Sequence, residues 1–177
     1  MVFKEISVHN NKAQLQNSIE SMTDVYQLIS DIYESENDFM DNKMLVDENC
    51  IFLNEDLDSF DAVIRLIGDE FIKNKIVKET YTQAVIDREK TYPTGLPADG
   101  CNIAIPHTDS EHILLPKVGV VVTNSPIKVS MMGSPEIKLD CQLFFPLAME
   151  HPKKQLDLLK QLMLFFQDKN NLQTIRY

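Results

Sequence analysis

Long apolar runs are missing from this sequence. None reaches the roughly 18 residues that a membrane-spanning helix requires, so a membrane span is excluded. The opening residues, Met1-Val2-Phe3-Lys4-Glu5, lack the apolar stretch of a secretory signal, and a cytoplasmic location is expected. Cysteine is scarce. Cys50, Cys101 and Cys141 are odd in number, widely separated and without CxxC spacing, which argues against a disulfide framework or a zinc site. Each lies beside apolar residues, as buried thiols do. Cys101 is the candidate for a reactive thiol, because it lies close before His107. Cations are also few. Lysine and arginine total 17 against 27 aspartate and glutamate, a formal charge of -10. Such a surface repels nucleic acid, since phosphate binding needs clustered lysine and arginine. It is compatible with a basic protein partner, steered in by its charge. Internal repeats, low-complexity tracts and a GxSxG nucleophile elbow are absent.

What is present suits one domain with a small appendage. The chain has 177 residues, of which 44% are hydrophobic, enough for a real core. Residues 1–45 are polar, rich in Asn, Ser, Asp and Glu. Within them Leu15, Ile19, Met22, Tyr26, Ile29 and Tyr33 recur at helical spacing. This segment reads as an N-terminal helical extension followed by a linker at Glu34–Asp38. The main domain is expected over 46–177. A buried strand is expected at Cys50–Leu53. Asp58 or Ser59 caps a helix whose apolar face is Phe60, Val63, Ile64, Ile67 and Phe71. Thr80 and Gln83 have capping-box spacing for a second helix through Lys90, ending before Pro93. Thr94–Pro97 reads as a loop. Strands are expected at 102–105, 117–123 and 126–130, with a long turn at Met132–Pro135 and a further strand at Gln142–Ala148. Pro152 suits the first turn of a last helix burying Leu156, Leu159, Met163 and Phe166. Interleaved helices and strands predict an α/β fold, a mixed β-sheet flanked by helices.

The chemistry concentrates in Ile103-Ala104-Ile105-Pro106-His107-Thr108-Asp109-Ser110. A short strand breaks at proline, and a histidine stands at the break, followed by a hydroxyl and a carboxylate. Imidazole has an ordinary pKa near 6.5, so it is a good neutral nucleophile at about pH 7. Sites in open α/β sheets gather outside the carboxyl ends of strands. His151 and the start of the last helix come at the end of another strand, and a helix N-terminus offers N–H groups to an anion. Arg88 precedes the Thr94-Gly95-Leu96 segment, and its guanidinium matches phosphate oxygens. Glycine at 95 permits close approach. Three other readings use the same histidines. His107, Asp109 and His112 can be set out as a metal site, but their intervals match no zinc signature and a fourth ligand is missing. His107 can serve as a base for Cys101, or be a structural histidine. His112 is expected to be solvent-exposed, and His9 to be inert.

Taken together, Arg88-Glu89-Lys90, Thr94-Gly95-Leu96 and Ile103-Ala104-Ile105-Pro106-His107-Thr108-Asp109 resemble the IIA component of the bacterial sugar phosphotransferase system, fructose–mannitol type. Phe145-Pro-Leu-Ala148, Gln155-Leu-x-x-Leu159 and Phe165–Asp168 fit the same family, over roughly residues 45–175. Met132-Gly-Ser-Pro135 looks most like the galactitol branch. The resemblance implies an α/β sandwich around a mixed sheet. It implies that His107 accepts a phosphoryl group on Nε2 from the small carrier HPr and passes it to a cysteine of a IIB partner. That partner would in turn phosphorylate sugar arriving through a membrane IIC component, which the chain meets only indirectly. Arg88 would neutralise the phosphoryl group, and no cofactor or metal is needed. Backbone N–H groups near Thr94, Gly95 and His107 are expected to help. His107 Nδ1 is expected to be held by a backbone carbonyl or by Thr108. Mannitol-type members carry a second histidine at the start of the last helix. That position here is Gln155, with His151 one turn earlier, so either residue is a candidate to assist. The B and C partners are expected to be separate chains. The alternative function is a regulatory IIA-like module whose phosphorylation state signals to a partner protein.

Overall fold

The computed structural model describes residues 48–98 and 102–149; the expected N-terminal helix, Cys101, His151, Gln155 and the expected last helix lie outside the described residues. A short 3-10 turn, Glu48–Cys50, leads into strand β1, Ile51–Glu55. Helix α1 spans Phe60–Lys73. Ser59 is extended, and its hydroxyl accepts a hydrogen bond from the Ala62 N–H at 3.3 Å, satisfying a donor that the first turn leaves open. Asp61 in the first turn and Lys73 in the last suit the helix dipole. Val63, Ile64, Ile67 and Phe71 are fully buried. At about 1.5–3 kcal/mol for each large side chain, this stripe fixes which face of α1 meets the sheet.

Helix α2 spans Tyr81–Thr91. The expected capping box does not form. Thr80 has helical backbone angles and makes no side-chain cap; its hydroxyl lies instead 2.8 Å from His112 Nδ1. A partner 32 residues away outcompetes the local bond. Strand β2, Gly95–Leu96, replaces the expected loop. It pairs antiparallel with β3, Asn102–Ala104, and its Gly95 pairs in parallel with Met131. A Cβ at residue 95 would lie 2.5 Å from the Ser130 carbonyl oxygen, so only glycine lets these strands approach.

Strand β4, Lys117–Val118, is separate from β5, Val120–Met131, which runs unbroken through the break expected near residue 124. A register shift between Val122 and Ile127 absorbs the extra residues, as a bulge does. β6 is Ser134–Phe144. The long turn expected at Met132–Pro135 is a two-residue loop, Met132-Gly133, with Gly133 at φ 78°, a left-handed angle that a side chain would oppose. The strand expected over Gln142–Ala148 ends at Phe144 and resumes after Pro146 as β7, Leu147–Ala148, because proline has no N–H for a ladder.

The larger sheet has the order β1-β5-β2-β3-β6, and β5 and β6 also pair directly. β1–β5, β2–β5 and β3–β6 are parallel, while β2–β3 and β5–β6 are antiparallel. β4 and β7 form a second, antiparallel pair. The expected mixed sheet with helices packed on it is therefore observed. Ile64, Ile67 and Phe71 of α1 share the core with Tyr81 and Val85 of α2 and Val121, Val129 and Phe144 of the sheet. The Phe71 and Tyr81 rings meet at 5.8 Å, tilted by 57°, which locks the two helices together at the sheet face.

Candidate functional site

His107 stands where β3 has ended but pairing has not. The Ala104 carbonyl accepts from the Phe145 N–H at 2.9 Å, the Pro106 carbonyl accepts from the Leu147 N–H at 2.8 Å, and His107 itself bridges to Leu147 in parallel. Pro106 costs nothing here, because its carbonyl does the pairing. Beneath this edge the buried Tyr81 hydroxyl donates to the Leu147 carbonyl at 3.0 Å. Burial pushes the Tyr81 phenol well above its ordinary range, so it stays a donor. The first residue of α2 is thereby pinned to the strand that pins His107.

His107 is 8% exposed. Its Nδ1 lies 2.8 Å from the Ile105 carbonyl oxygen. A carbonyl can only accept, so Nδ1 carries the hydrogen and the neutral ring has its lone pair on Nε2. Of the two expected holders of Nδ1, the backbone carbonyl is the observed one. Burial is the main cause that lowers the His107 pKa; the bond to Ile105 pulls it up, Arg88 pushes it down, and Asp109 pulls it up. The ring is therefore neutral near pH 7.

Arg88 lies in the last turn of α2, partly buried, close enough for its charge to act on His107. Its guanidinium sits over the Tyr92 ring, 5.3 Å from the centroid, a cation–π contact that limits its directions without neutralising it. Among the described residues no carboxylate forms an ion pair with it. A cation held over an aromatic ring, its charge reaching a neutral imidazole, suits an incoming anion.

Thr94 and Thr108 are buried, and Gly95 is in β2. The expectation that the Thr94 N–H would serve an anion needs correction. That N–H donates to Glu89 Oε1 at 3.0 Å, and the Thr94 hydroxyl donates to Glu89 Oε2 at 2.7 Å. Both donors are spent inside the protein. Glu89 stands in the Arg-Glu string, and its spacing to Thr94 across the helix end is the one sequence signal of this contact. Burial raises its carboxyl to about pKa 7, against the lowering pull of the Thr94 bonds and of Arg88 and Lys138. His112 is also not as exposed as expected. Its side chain is 19% exposed, with Nδ1 against Thr80 and Nε2 3.4 Å from Glu111. Among the described residues no group of three His, Cys, Asp or Glu side chains is placed to hold a metal. Cys50 and Cys141 are buried thiols. No helix of the described residues is long and apolar enough to cross a membrane. His151 and Gln155 lie outside the described residues.

Chemically, the arrangement is a neutral imidazole with its free lone pair on Nε2, locked in orientation by backbone at a strand end, with a cation nearby. It can attack an anionic electrophile and hold the adduct. Residues 44–177 match the profile of the family described as phosphoenolpyruvate-dependent sugar phosphotransferase system, EIIA 2. The galactitol-specific EIIA component of the phosphotransferase system of Escherichia coli (strain K12) is 27% identical over 113 residues, 64% of this chain and 75% of that protein. Among solved structures, the complex of enzyme IIA and phosphorylated enzyme IIB for mannitol from Escherichia coli superposes with a TM-score of 0.60 at 22% identity, covering 75% of this chain and 90% of that one. The nitrogen regulatory protein IIA-Ntr from Neisseria meningitidis gives a TM-score of 0.59 at 20% identity, over 75% and 88% of the two chains. The two structures share the fold.

Proposed function

Because the chain belongs to the EIIA type-2 family of the phosphoenolpyruvate-dependent sugar phosphotransferase system, we propose that His107 is its phosphorylated residue and that the protein is a cytoplasmic phosphocarrier. The observation that carries this reading is the bond from His107 Nδ1–H to the Ile105 carbonyl, which leaves Nε2 as the nucleophile. The Nε2 lone pair attacks the phosphorus of phospho-HPr in line. A P–N bond forms on His107 as the P–N bond to the donor histidine breaks, and the donor takes back its electron pair. Arg88 balances charge spread over the three equatorial oxygens, so that catalysis is mostly aiming and electrostatics. A IIB thiolate then attacks the same phosphorus. The S–P bond forms, the P–Nε2 bond breaks, and neutral His107 is restored with its Nδ1 hydrogen unmoved. The likeness to the galactitol-specific relative supports a galactitol-like sugar for the pathway. Thr108 and Gly95 would shape the rim, and His151 or Gln155 would assist transfer.

The test is a two-stage transfer. The chain is charged with phospho-HPr and then mixed with a purified IIB of the galactitol type. Passage of the phosphoryl group to the IIB cysteine is the expected result. Charging without passage to any sugar-specific IIB would overturn the transport reading in favour of signalling.

A further inference from the structure

Three hydrogen-bonded links join Glu89 to the imidazole. The Glu89 carboxylate accepts from the Thr94 N–H at 3.0 Å and from the Thr94 hydroxyl at 2.7 Å. The Thr94 carbonyl accepts from the Ile105 N–H at 3.2 Å. The Ile105 carbonyl, in turn, accepts from His107 Nδ1 at 2.8 Å. The first link crosses from α2 to the residue before β2, the second from there to the residue after β3, and the third reaches the ring. We propose that Glu89 is a positioning residue for His107, fixing its tautomer and aim through Thr94 and the backbone of Ile105.

The fold explains why such a tie is needed. β2 has two residues and is too short for its own ladder to hold it. Its neighbour β3 has three. A carboxylate rooted on α2 clamps the residue that enters β2, and so sets the register between helix and strand. Arg88 is the preceding residue of that same helix turn. One side chain therefore holds both the helix that presents the cation and the strand edge that presents the nucleophile.

The role in transfer rests on the carrier reading of His107; the effect on the tautomer does not. Nitrogen-15 NMR of the imidazole in the uncharged protein reads the tautomer directly. The wild type should show hydrogen on Nδ1. Glu89→Ala should show a mixture of tautomers, and transfer from phospho-HPr should slow about tenfold or more, as when outer groups that orient a histidine are lost. The KM for phospho-HPr should not move. Glu89→Gln should restore both properties, because its amide can accept from the Thr94 N–H and donate to the Thr94 hydroxyl. Thr94→Val removes one of the two bonds, keeps the shape, and should shift the tautomer in the same direction by less. A folded Glu89→Ala with an unchanged tautomer overturns the proposal, as does a Gln variant as impaired as the Ala one. If Glu89→Ala does not fold, an unshifted tautomer in Thr94→Val overturns it. Failure of the wild type to accept phosphoryl at all would strike the carrier reading and leave the tautomer result standing.

Discussion

His107 and His112 lie on one connection between β3 and β4, yet the chain holds them by opposite means. His107 is gripped by backbone: its Nδ1 by Ile105, its own segment by Leu147. His112 is gripped by side chains, Thr80 at Nδ1 and Glu111 at Nε2. Among the described residues, the backbone grip leaves one nitrogen of a neutral ring without a hydrogen-bond partner. The side-chain grip sets Thr80, the residue before α2, at Nδ1 and Glu111 3.4 Å from Nε2, and the His112 carbonyl also accepts from the Lys78 N–H at 2.9 Å. The two histidines therefore differ less in exposure than in which ring atoms their neighbours engage.

The largest expected effect is on the first ring alone. His107→Ala should abolish labelling by phospho-HPr with the fold intact, whereas His112→Ala should be labelled at close to the normal rate. Loss of labelling in the second variant would erase the distinction. Arg88→Ala should slow labelling by on the order of 10²-fold if the cation stabilises developing charge like a typical preorganised donor. A rate within twofold of normal would reduce Arg88 to its contact with Tyr92. Gly95→Ala should cost about 1–3 kcal/mol in denaturant unfolding, since the added methyl meets the Ser130 carbonyl and β2 must shift. If the two rings are held as described, that shift should disturb the NMR signals of His107 and leave those of His112 in place.

The smallest effect is in pH. Burial raises the Glu89 carboxyl from 4.5 to about 7, so the folded state binds more protons than the unfolded chain across that window. Stability from this group is full below about pH 4.5 and is lost as pH rises toward 7. For His107 the folded pKa is lowered below 6.5, so its contribution is present above 6.5 and is lost as pH falls. The two slopes oppose each other. In Glu89→Gln, unfolding midpoints should rise between pH 5 and pH 7 relative to wild type. A parallel profile in the two proteins would mean that the carboxyl titrates at its ordinary value.

Legibility in the sequence followed the range of the interactions. α1 could be read because its stripe and its Ser59 cap are local. The strand leading to His107 and the proline break after it could be read for the same reason. The Thr80–Gln83 spacing predicts a cap, but the Thr80 hydroxyl answers to His112, far along the chain. β2 was invisible as a strand, since two residues carry no alternation and Gly95 ordinarily signals a turn; what makes it a strand is the pair of neighbours that close on it. β5 was split in two by the polar Asn124-Ser125 pair, which a register shift accommodates instead. Glu89 sat in plain view beside Arg88, but its task depends on Thr94 folding back across the end of α2, and no helical period announces that contact.

Where phosphorus binds decides whether His107 is a carrier. After incubation with phospho-HPr, the charged protein should carry one acid-labile phosphoryl group, and phosphorus–nitrogen coupling should place it on Nε2 of His107. An adduct on Nδ1 of that ring, or on any other residue, would contradict it.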